Sequence, residues 1–213
     1  MRFCSIVVSG LLTLASAAPL APGINTRSAE DAASIVNAIK NVQAKVSTFD
    51  STVASFRKGQ MTGILTVLQI SSQSSELSDA VTGATNAANA AQSLDTDKSN
   101  SVVLAVIALQ PDISSLLNNL QSKKPAFDTV ILGIGSVSPQ IEQTLQQQKA
   151  QSADLGTAIT AKLSEPYKGL APLVTGQVST AFDQAIATFS QSCGLFALPP
   201  LPLDEFQKKL KSY

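Results

Sequence analysis

The chain has 213 residues, 15 lysines and arginines against 15 aspartates and glutamates, and no histidine. This length allows a hydrophobic core without help from disulfides. Because the basic residues are scattered and fully balanced, we expect no nucleic-acid partner. The lack of histidine excludes serine–histidine and cysteine–histidine nucleophile pairs and histidine metal sites, so we predict no enzyme, no catalytic residue, no metal site and no cofactor.

The N-terminus has the pattern of a secretory signal peptide. A basic start at Met1-Arg2 precedes an apolar run from Cys4 to Leu14, and the small residues Ala15-Ser16-Ala17 follow. The run is shorter than the roughly 20 residues that cross a bilayer. We therefore predict a signal peptide at 1–17, an extended segment at 18–27, and a protein that is secreted to the extracellular space or the cell wall.

The next segment predicts a long helix over 28–57 with one apolar seam. Large apolar side chains recur there at alternating steps of four and three, at Ile35, Ile39, Val42, Val46, Phe49, Val53 and Phe56. This spacing places them on one face of a helix. The seam could pack within its own chain or pair with a second copy as a coiled coil. We favour the first alternative because the later segments also carry apolar faces that need partners.

A second and a third helix are predicted after this seam. The segment 61–92 is rich in Ala, Ser and Asn and has a thin apolar stripe, so we expect it on the outside of the assembly. The third helix opens with Val102–Leu109, which is apolar on all sides and therefore predicts a central, surrounded element. We expect a kink near Pro111, because proline removes one backbone hydrogen bond.

The remaining segments predict two more helices and a tail. We expect Lys123-Lys124-Pro125 to end the third helix, with a new helix from Pro125 to Glu165 that Gly133, Gly135 and Pro139 bend or interrupt. Its Gln146-Gln147-Gln148 run is predicted to face solvent. A last helix should run from about Leu170 to Cys193, before a proline-rich tail at 194–213 that either frays or forms a short amphipathic helix on the bundle.

Together these patterns predict an all-α fold, a bundle of about five long antiparallel helices over 28–193 that follows the signal peptide. We find no apolar run after the signal peptide that would span a membrane. Removal of residues 1–17 would leave Cys193 as a single cysteine. We therefore expect a monomer, with a Cys193-linked dimer as the alternative.

One stretch resembles a known family. A leucine-rich helix, Leu116-Leu117-Asn118-Asn119-Leu120, leads into Lys123-Lys124-Pro125-Ala126-Phe127-Asp128. This stretch is similar to the central signature of the fungal cell-wall galactomannoproteins, also called the hydrophobic surface binding protein A family. The resemblance covers about residues 28–192. The chain has no Asn-x-Ser/Thr sequon and no long Ser/Thr-rich stalk, which argues against heavy glycosylation and covalent wall linkage and leaves O-mannosylation open.

The resemblance implies a secreted, non-enzymatic helical protein that binds a fatty acid or similar lipid, or a hydrophobic surface. Family members are also wall components and antigens. Two alternatives stay open: a structural or antigenic wall mannoprotein without a specific ligand, and an interfacial protein that recruits a hydrolase to hydrophobic solids. If a lipid is bound, we predict that inner-face side chains of several helices form its site, namely Val42, Val46, Phe49, Val106, Leu109, Phe127, Val130, Ile131, Val178 and Phe182.

Overall fold

Five long helices and one short helix make up nearly all of the computed structural model, which describes residues 23–57, 63–129, 135–191 and 196–197. The predicted signal peptide, Cys193 and most of the tail lie outside these residues. The helices are α1 (Gly23–Ser55), α2 (Gly63–Ala90), α3 (Thr96–Phe127), α4 (Ser138–Lys162), the one-turn α5 (Glu165–Lys168) and α6 (Ala171–Ser190). A two-residue strand β1 (Gly135–Ser136) pairs in parallel with β2 (Phe196–Ala197).

The five long helices form a ring. Each of them packs mainly on two others, in the order α1, α2, α4, α6, α3 and back to α1. Their apolar stripes point into this ring and form one continuous core. The predicted all-α class with about five long helices is confirmed.

Helix directions follow from the hydrogen bonds between neighbours. Consecutive long helices alternate in direction, as short connections predict. Bonds between α2 and α4 join residues 71 to 74 positions apart, a nearly constant separation that shows two parallel helices. A nearly constant separation of the bonded residues also shows that α1 is parallel to α3 and that α3 is parallel to α6. The ring therefore combines antiparallel and parallel neighbours, because several adjacent helices are not consecutive in the chain.

The apolar seam of α1 packs inside its own chain, as predicted. All seven of its large side chains, from Ile35 to Phe56, are at most 4% exposed. α1 itself begins at Gly23, five residues before the predicted start. The carboxylate of Asp31 on α1 accepts a hydrogen bond from the backbone N–H of Gln92, just after the last residue of α2. That bond ties α1 to the end of α2.

The prediction that α3 lies at the centre is wrong. Val102 and Leu109 are buried, but Leu104 and Ile107 on the other face are exposed. α3 is one member of the ring, so it needs only one buried stripe although its N-terminal half is apolar on all sides. By length and hydropathy alone, α3 could cross a membrane, the one described helix of which this is true. By this measure, the prediction that no run after the signal peptide could span a membrane is not met.

The predicted break at Lys123-Lys124-Pro125 is also wrong, since α3 continues to Phe127. Both lysines find partners that hold this last turn in place. The Lys123 ammonium donates to the carbonyls of Ala54 and Phe56 at the end of α1, each at 2.9 Å. Lys124 pairs with Asp128 at 2.6 Å. The chain turns only after Asp128, and the next long helix begins at Ser138 rather than Pro125.

Asp128 organises this turn between α3 and α4. Its carboxylate accepts hydrogen bonds from the Lys124 ammonium, from the hydroxyl of Ser136 at 3.1 Å and from the hydroxyl of Ser138 at 2.6 Å. Burial raises the pKa of Asp128, but these three hydrogen bonds together outweigh burial and hold the pKa below its usual range. Both serines are fully buried. The cluster thus joins the end of α3 to the start of α4.

We expect Asp128→Asn to lower the melting temperature at pH 7 and to flatten its dependence on acid pH. A depressed folded-state pKa stabilises the fold above the unfolded-state value of about 3.9, and this contribution disappears as the pH falls through the folded-state pKa. The gap between wild type and variant should therefore narrow below pH 4. Thermal melts from pH 3 to 7 measure it, with Asp154→Asn at an exposed position of α4 as the control. A gap that stays constant with pH would contradict this role of Asp128.

Candidate functional site: an apolar cavity within the helix ring

A cavity of about 200 Å³ lies inside the ring. All five long helices contribute side chains to its wall, so closure of the ring creates it. The lining comes from α1 and α3 on one side (Val42, Val46, Phe49, Ile113, Leu116, Leu117, Leu120, Phe127) and from α2, α4, the residue before α4 and α6 on the other (Val67, Leu68, Ile70, Ser71, Ser74, Leu77, Val81, Val137, Gln140, Ile141, Thr144, Leu145, Gln148, Ser152, Phe182).

Polarity is distributed unevenly over this wall. Every lining residue from α1, α3 and α6 is apolar, whereas the polar ones all lie on α2 and α4. We call these the polar strip: Ser71, Ser74, Gln140, Thr144, Gln148 and Ser152. None of the lining residues in the described part of the chain carries a charge. The cavity is therefore mainly apolar, with neutral hydrogen-bonding groups on α2 and α4 only.

Gln148 corrects the prediction that the whole Gln146-Gln147-Gln148 run faces solvent. Gln146 and Gln147 are exposed, but Gln148 is buried and donates from Nε2 to the Ser74 carbonyl at 3.1 Å. One turn further on, Ser78 and Gln151 bond to each other at 2.6 and 2.9 Å. The sequence did contain a signal, because Gln148 follows Ile141 by seven residues and so lies on the same helix face.

Half of the predicted site residues lie on the cavity wall. Val42, Val46, Phe49, Phe127 and Phe182 line it. Their part in ligand binding stays a prediction, since the structure contains no ligand.

The other half lie elsewhere. Leu109 is buried in the core and Val178 packs partly buried against it, but neither lines the cavity. Val106 lines a smaller recess between α3, α4 and α6. Val130 and Ile131 are outside the described residues.

Two parts of the wall contain no predicted site residue apart from Phe127. The second half of α3 contributes Leu116, Leu117 and Leu120, and α2 contributes apolar residues such as Leu77 and Val81. The thin apolar stripe of α2 had favoured a position outside the assembly. In the ring a thin stripe is sufficient, since α2 needs to cover only one sector of the interior.

Aromatic rings close one end of the cavity. Phe127 stacks on Phe56 with ring centroids 4.7 Å apart and an interplanar angle of 12°, and it meets Phe189 at 6.1 Å. All three side chains are at most 2% exposed. These residues come from α3, from the end of α1 and from α6, so this contact also fixes three helix ends against one another.

Comparison with known proteins identifies the family of this chain and a curated relative. Residues 32–161 match the model of the family described as hydrophobic surface binding protein A. Cell wall mannoprotein 1 of Aspergillus flavus is 25% identical over 189 residues, which cover 89% of this chain and 63% of that relative. The chain thus spans less than two thirds of the length of this relative.

Solved structures share the fold. Afmp4p in complex with palmitic acid superimposes with a TM-score of 0.68 and 25% identity, over 74% of this chain and 99% of the other. Ligand binding domain 1 of the Penicillium marneffei MP1 protein, complexed with arachidonic acids, gives a TM-score of 0.66 at 16% identity over 75% of this chain and 98% of that one. The family model covers more than half of the chain, and on this evidence the chain belongs to the hydrophobic surface binding protein A family.

Proposed function

We propose that this protein binds a long-chain fatty acid, or a lipid with a similar single chain, in the cavity of the helix ring. The observation that carries the proposal is a wall that is wholly apolar on three helices, while the other two helices add neutral polar groups beside their own apolar side chains. Ligand sites are typically apolar with a few polar groups that fix orientation. The palmitic acid bound to Afmp4p, which has the same fold, supports this class of ligand.

The wall also suggests how the ligand lies. Aliphatic and phenylalanine side chains of α1 and α3 offer a surface for the hydrocarbon chain, whose burial releases about 0.8 kcal/mol per methylene group. The polar strip offers hydroxyl and amide groups to the head group. The cavity volume of about 200 Å³ is smaller than the roughly 300–1,000 Å³ of common small-molecule sites. A slender single chain suits it better than a ligand with fused rings.

We further propose that the protein acts outside the cell or in the cell wall, without catalysing a reaction. The name of the Aspergillus flavus relative supports a cell-wall setting. Within the described part of the chain, no group of three or more acidic or cysteine side chains is placed to hold a metal ion. The side chains around the cavity are suited to holding a ligand through packing and hydrogen bonds.

The direct experiment is native mass spectrometry of the purified protein after delipidation and after addition of palmitic acid. We expect one added mass of palmitic acid per chain. Because none of the described lining residues is charged, we also expect 1-hexadecanol to bind within about tenfold of palmitic acid, a difference of less than 1.4 kcal/mol. A buried ion pair to the carboxylate would make the difference larger, since removing one partner of such a pair costs about 3–5 kcal/mol.

A titration of both ligands by competition with a fluorescent fatty acid measures this difference. Decanoic acid is a suitable control, because a shorter chain leaves part of the apolar wall uncovered and should bind more weakly than palmitic acid. A protein that takes up neither palmitic acid nor hexadecanol after delipidation contradicts the proposed function. If 1-hexadecanol binds more than a hundredfold more weakly than palmitic acid, only the proposal of a neutral head-group site is contradicted.

A further inference from the structure

A second apolar feature lies on the outer surface where α3 and α6 run side by side. Four large aliphatic side chains are exposed there: Leu104 at 57%, Ile107 at 44%, Leu170 at 48% and Leu173 at 66%. We call these four residues the α3/α6 face. They take no part in the wall of the cavity, and burial in the core does not explain their apolar character.

The four side chains belong to one surface. Gln110 on α3 donates to Gln177 on α6, which sets the register of the two parallel helices. One and two turns before these glutamines, Val103 and Val106 meet Leu170 and Val174 around a small recess of about 40 Å³. With 3.6 residues per turn, Ile107 on α3 and Leu173 on α6 lie next to this contact between the two helices, on the side that faces solvent. Leu170 thus lines an apolar recess, Ile107 and Leu173 lie beside it, and Leu104 is one turn before Ile107 on the same side of α3.

The two chain segments that form the α3/α6 face contain no charged residues. No charged residue occurs between Ser99 and Pro111 on α3 or between Gly169 and Phe182, a stretch that includes the first half of α6. Behind the recess, Gly156 of α4 leaves room for a close approach of α6, since a Cβ atom there would lie 2.7 Å from Cγ2 of Thr175. An apolar phase, which offers no ions and no hydrogen bonds, suits such a face.

The area of the α3/α6 face distinguishes between two possible binding partners, a second copy of the chain and a lipid layer. Four aliphatic side chains exposed to this degree offer on the order of 400 Å², which is the size of functional apolar patches on monomers. A stable protein–protein interface needs about 800 Å² from each partner. A second copy of the chain would therefore gain too little area here, whereas a lipid layer, into which side chains insert one by one, has no such minimum.

We propose that the α3/α6 face docks the protein on the surface of a phospholipid membrane, with the exposed leucines inserted among the acyl chains. The proposal rests on the proposed function in one respect: a fatty acid is poorly soluble in water, and a docked protein can exchange it with the membrane directly. Because the face has no charge, docking depends on apolar insertion and is insensitive to anionic lipid and to salt.

The test uses the full chain and vesicles of neutral phosphatidylcholine, with protein recovered by flotation. We expect Leu104→Ser together with Leu173→Ser to lower the vesicle partition coefficient at least tenfold. Leu65→Ser is the matched control, because Leu65 is exposed to the same 66% as Leu173 but lies on α2, away from the face. It should partition like the wild type. Exposed positions tolerate serine, and a thermal melt verifies that each variant is folded.

Palmitic acid binding, measured by native mass spectrometry without vesicles, separates this proposal from the proposed function. The double variant should bind palmitic acid as the wild type does. The docking proposal is overturned if the double variant floats with vesicles like the wild type, if Leu65→Ser loses as much partitioning, or if partitioning requires anionic lipid. It is also overturned if sedimentation shows a dimer that the double substitution dissociates. A wild type that docks but takes up no fatty acid would instead contradict the function proposed for the cavity.

Discussion

Replacing Phe56 with alanine should cost about 3–5 kcal/mol of unfolding free energy, the range for truncating a packed phenylalanine. Phe56 is 2% exposed and stacks on Phe127 at 4.7 Å, so its removal leaves an unfilled space between α1 and α3. The hydrogen bond from Lys123 reaches the backbone carbonyl of Phe56 and persists in the variant. Chemical denaturation of delipidated protein measures the loss.

Phe49→Ala is the matched comparison on the same helix. Phe49 is similarly buried, but part of its ring faces the cavity and so makes fewer packing contacts. We expect a loss smaller by at least about 1 kcal/mol than for Phe56→Ala, with partial recovery on addition of palmitic acid, because a ligand that binds the folded state stabilises it. Equal losses at the two positions would show that Phe49 packs as an ordinary core residue.

Thermal melts of the delipidated wild type at several protein concentrations distinguish a bundle within one chain from a coiled-coil dimer through the α1 seam. If two copies folded together, the melting temperature would rise with protein concentration by mass action. Since the seam is buried against α2 and α3 of its own chain, we expect no shift over a hundredfold range of concentration. A rising melting temperature would contradict the arrangement of α1 seen here.

The sequence was sufficient to predict α1 because its pattern is local. Seven apolar positions at helical spacing leave one orientation that buries them all, and the structure uses it. The helical class and the number of long helices follow in the same way from periodicity. The five predicted residues that line the cavity came from such inner faces, so periodicity alone placed them near the interior.

The errors share a cause, which is that burial in a ring depends on neighbours distant in sequence. The sequence of Val102–Leu109 fits a helix that is buried on all sides as well as one that exposes Leu104 and Ile107. Which of the two occurs depends on the position of α3 in the ring. Pro125 favours a helix start, but the contacts of Lys123 with the end of α1 keep it in the last turn of α3. Gln148 is buried because Ser74, 74 residues away, offers it a carbonyl. A local pattern can place Gln148 on the same helix face as Ile141, but it contains no information on the distant partners of Gln148 or Lys123.

Val46→Phe should abolish most of the fatty acid binding while leaving the fold intact. Val46 lies on the cavity wall, so a larger side chain there can extend into empty space without displacing packed neighbours. Filling the cavity should weaken the binding of palmitic acid at least tenfold, which corresponds to about 1.4 kcal/mol of binding free energy. It should leave the melting temperature of delipidated protein unchanged or raise it, because the new ring gains contacts that the valine lacked.

The control is the same substitution seven residues further along the seam. Val53 is fully buried and does not line the cavity, so Val53→Phe overpacks the core and should cost about 1–3 kcal/mol of stability. Its palmitic acid affinity should stay within twofold of the wild type wherever the variant is folded. We therefore expect opposite results from binding titrations and melts of the two variants. The affinity for palmitic acid falls in Val46→Phe, and the stability falls in Val53→Phe. If both variants lost stability and kept their affinity, the ligand would lie outside this cavity.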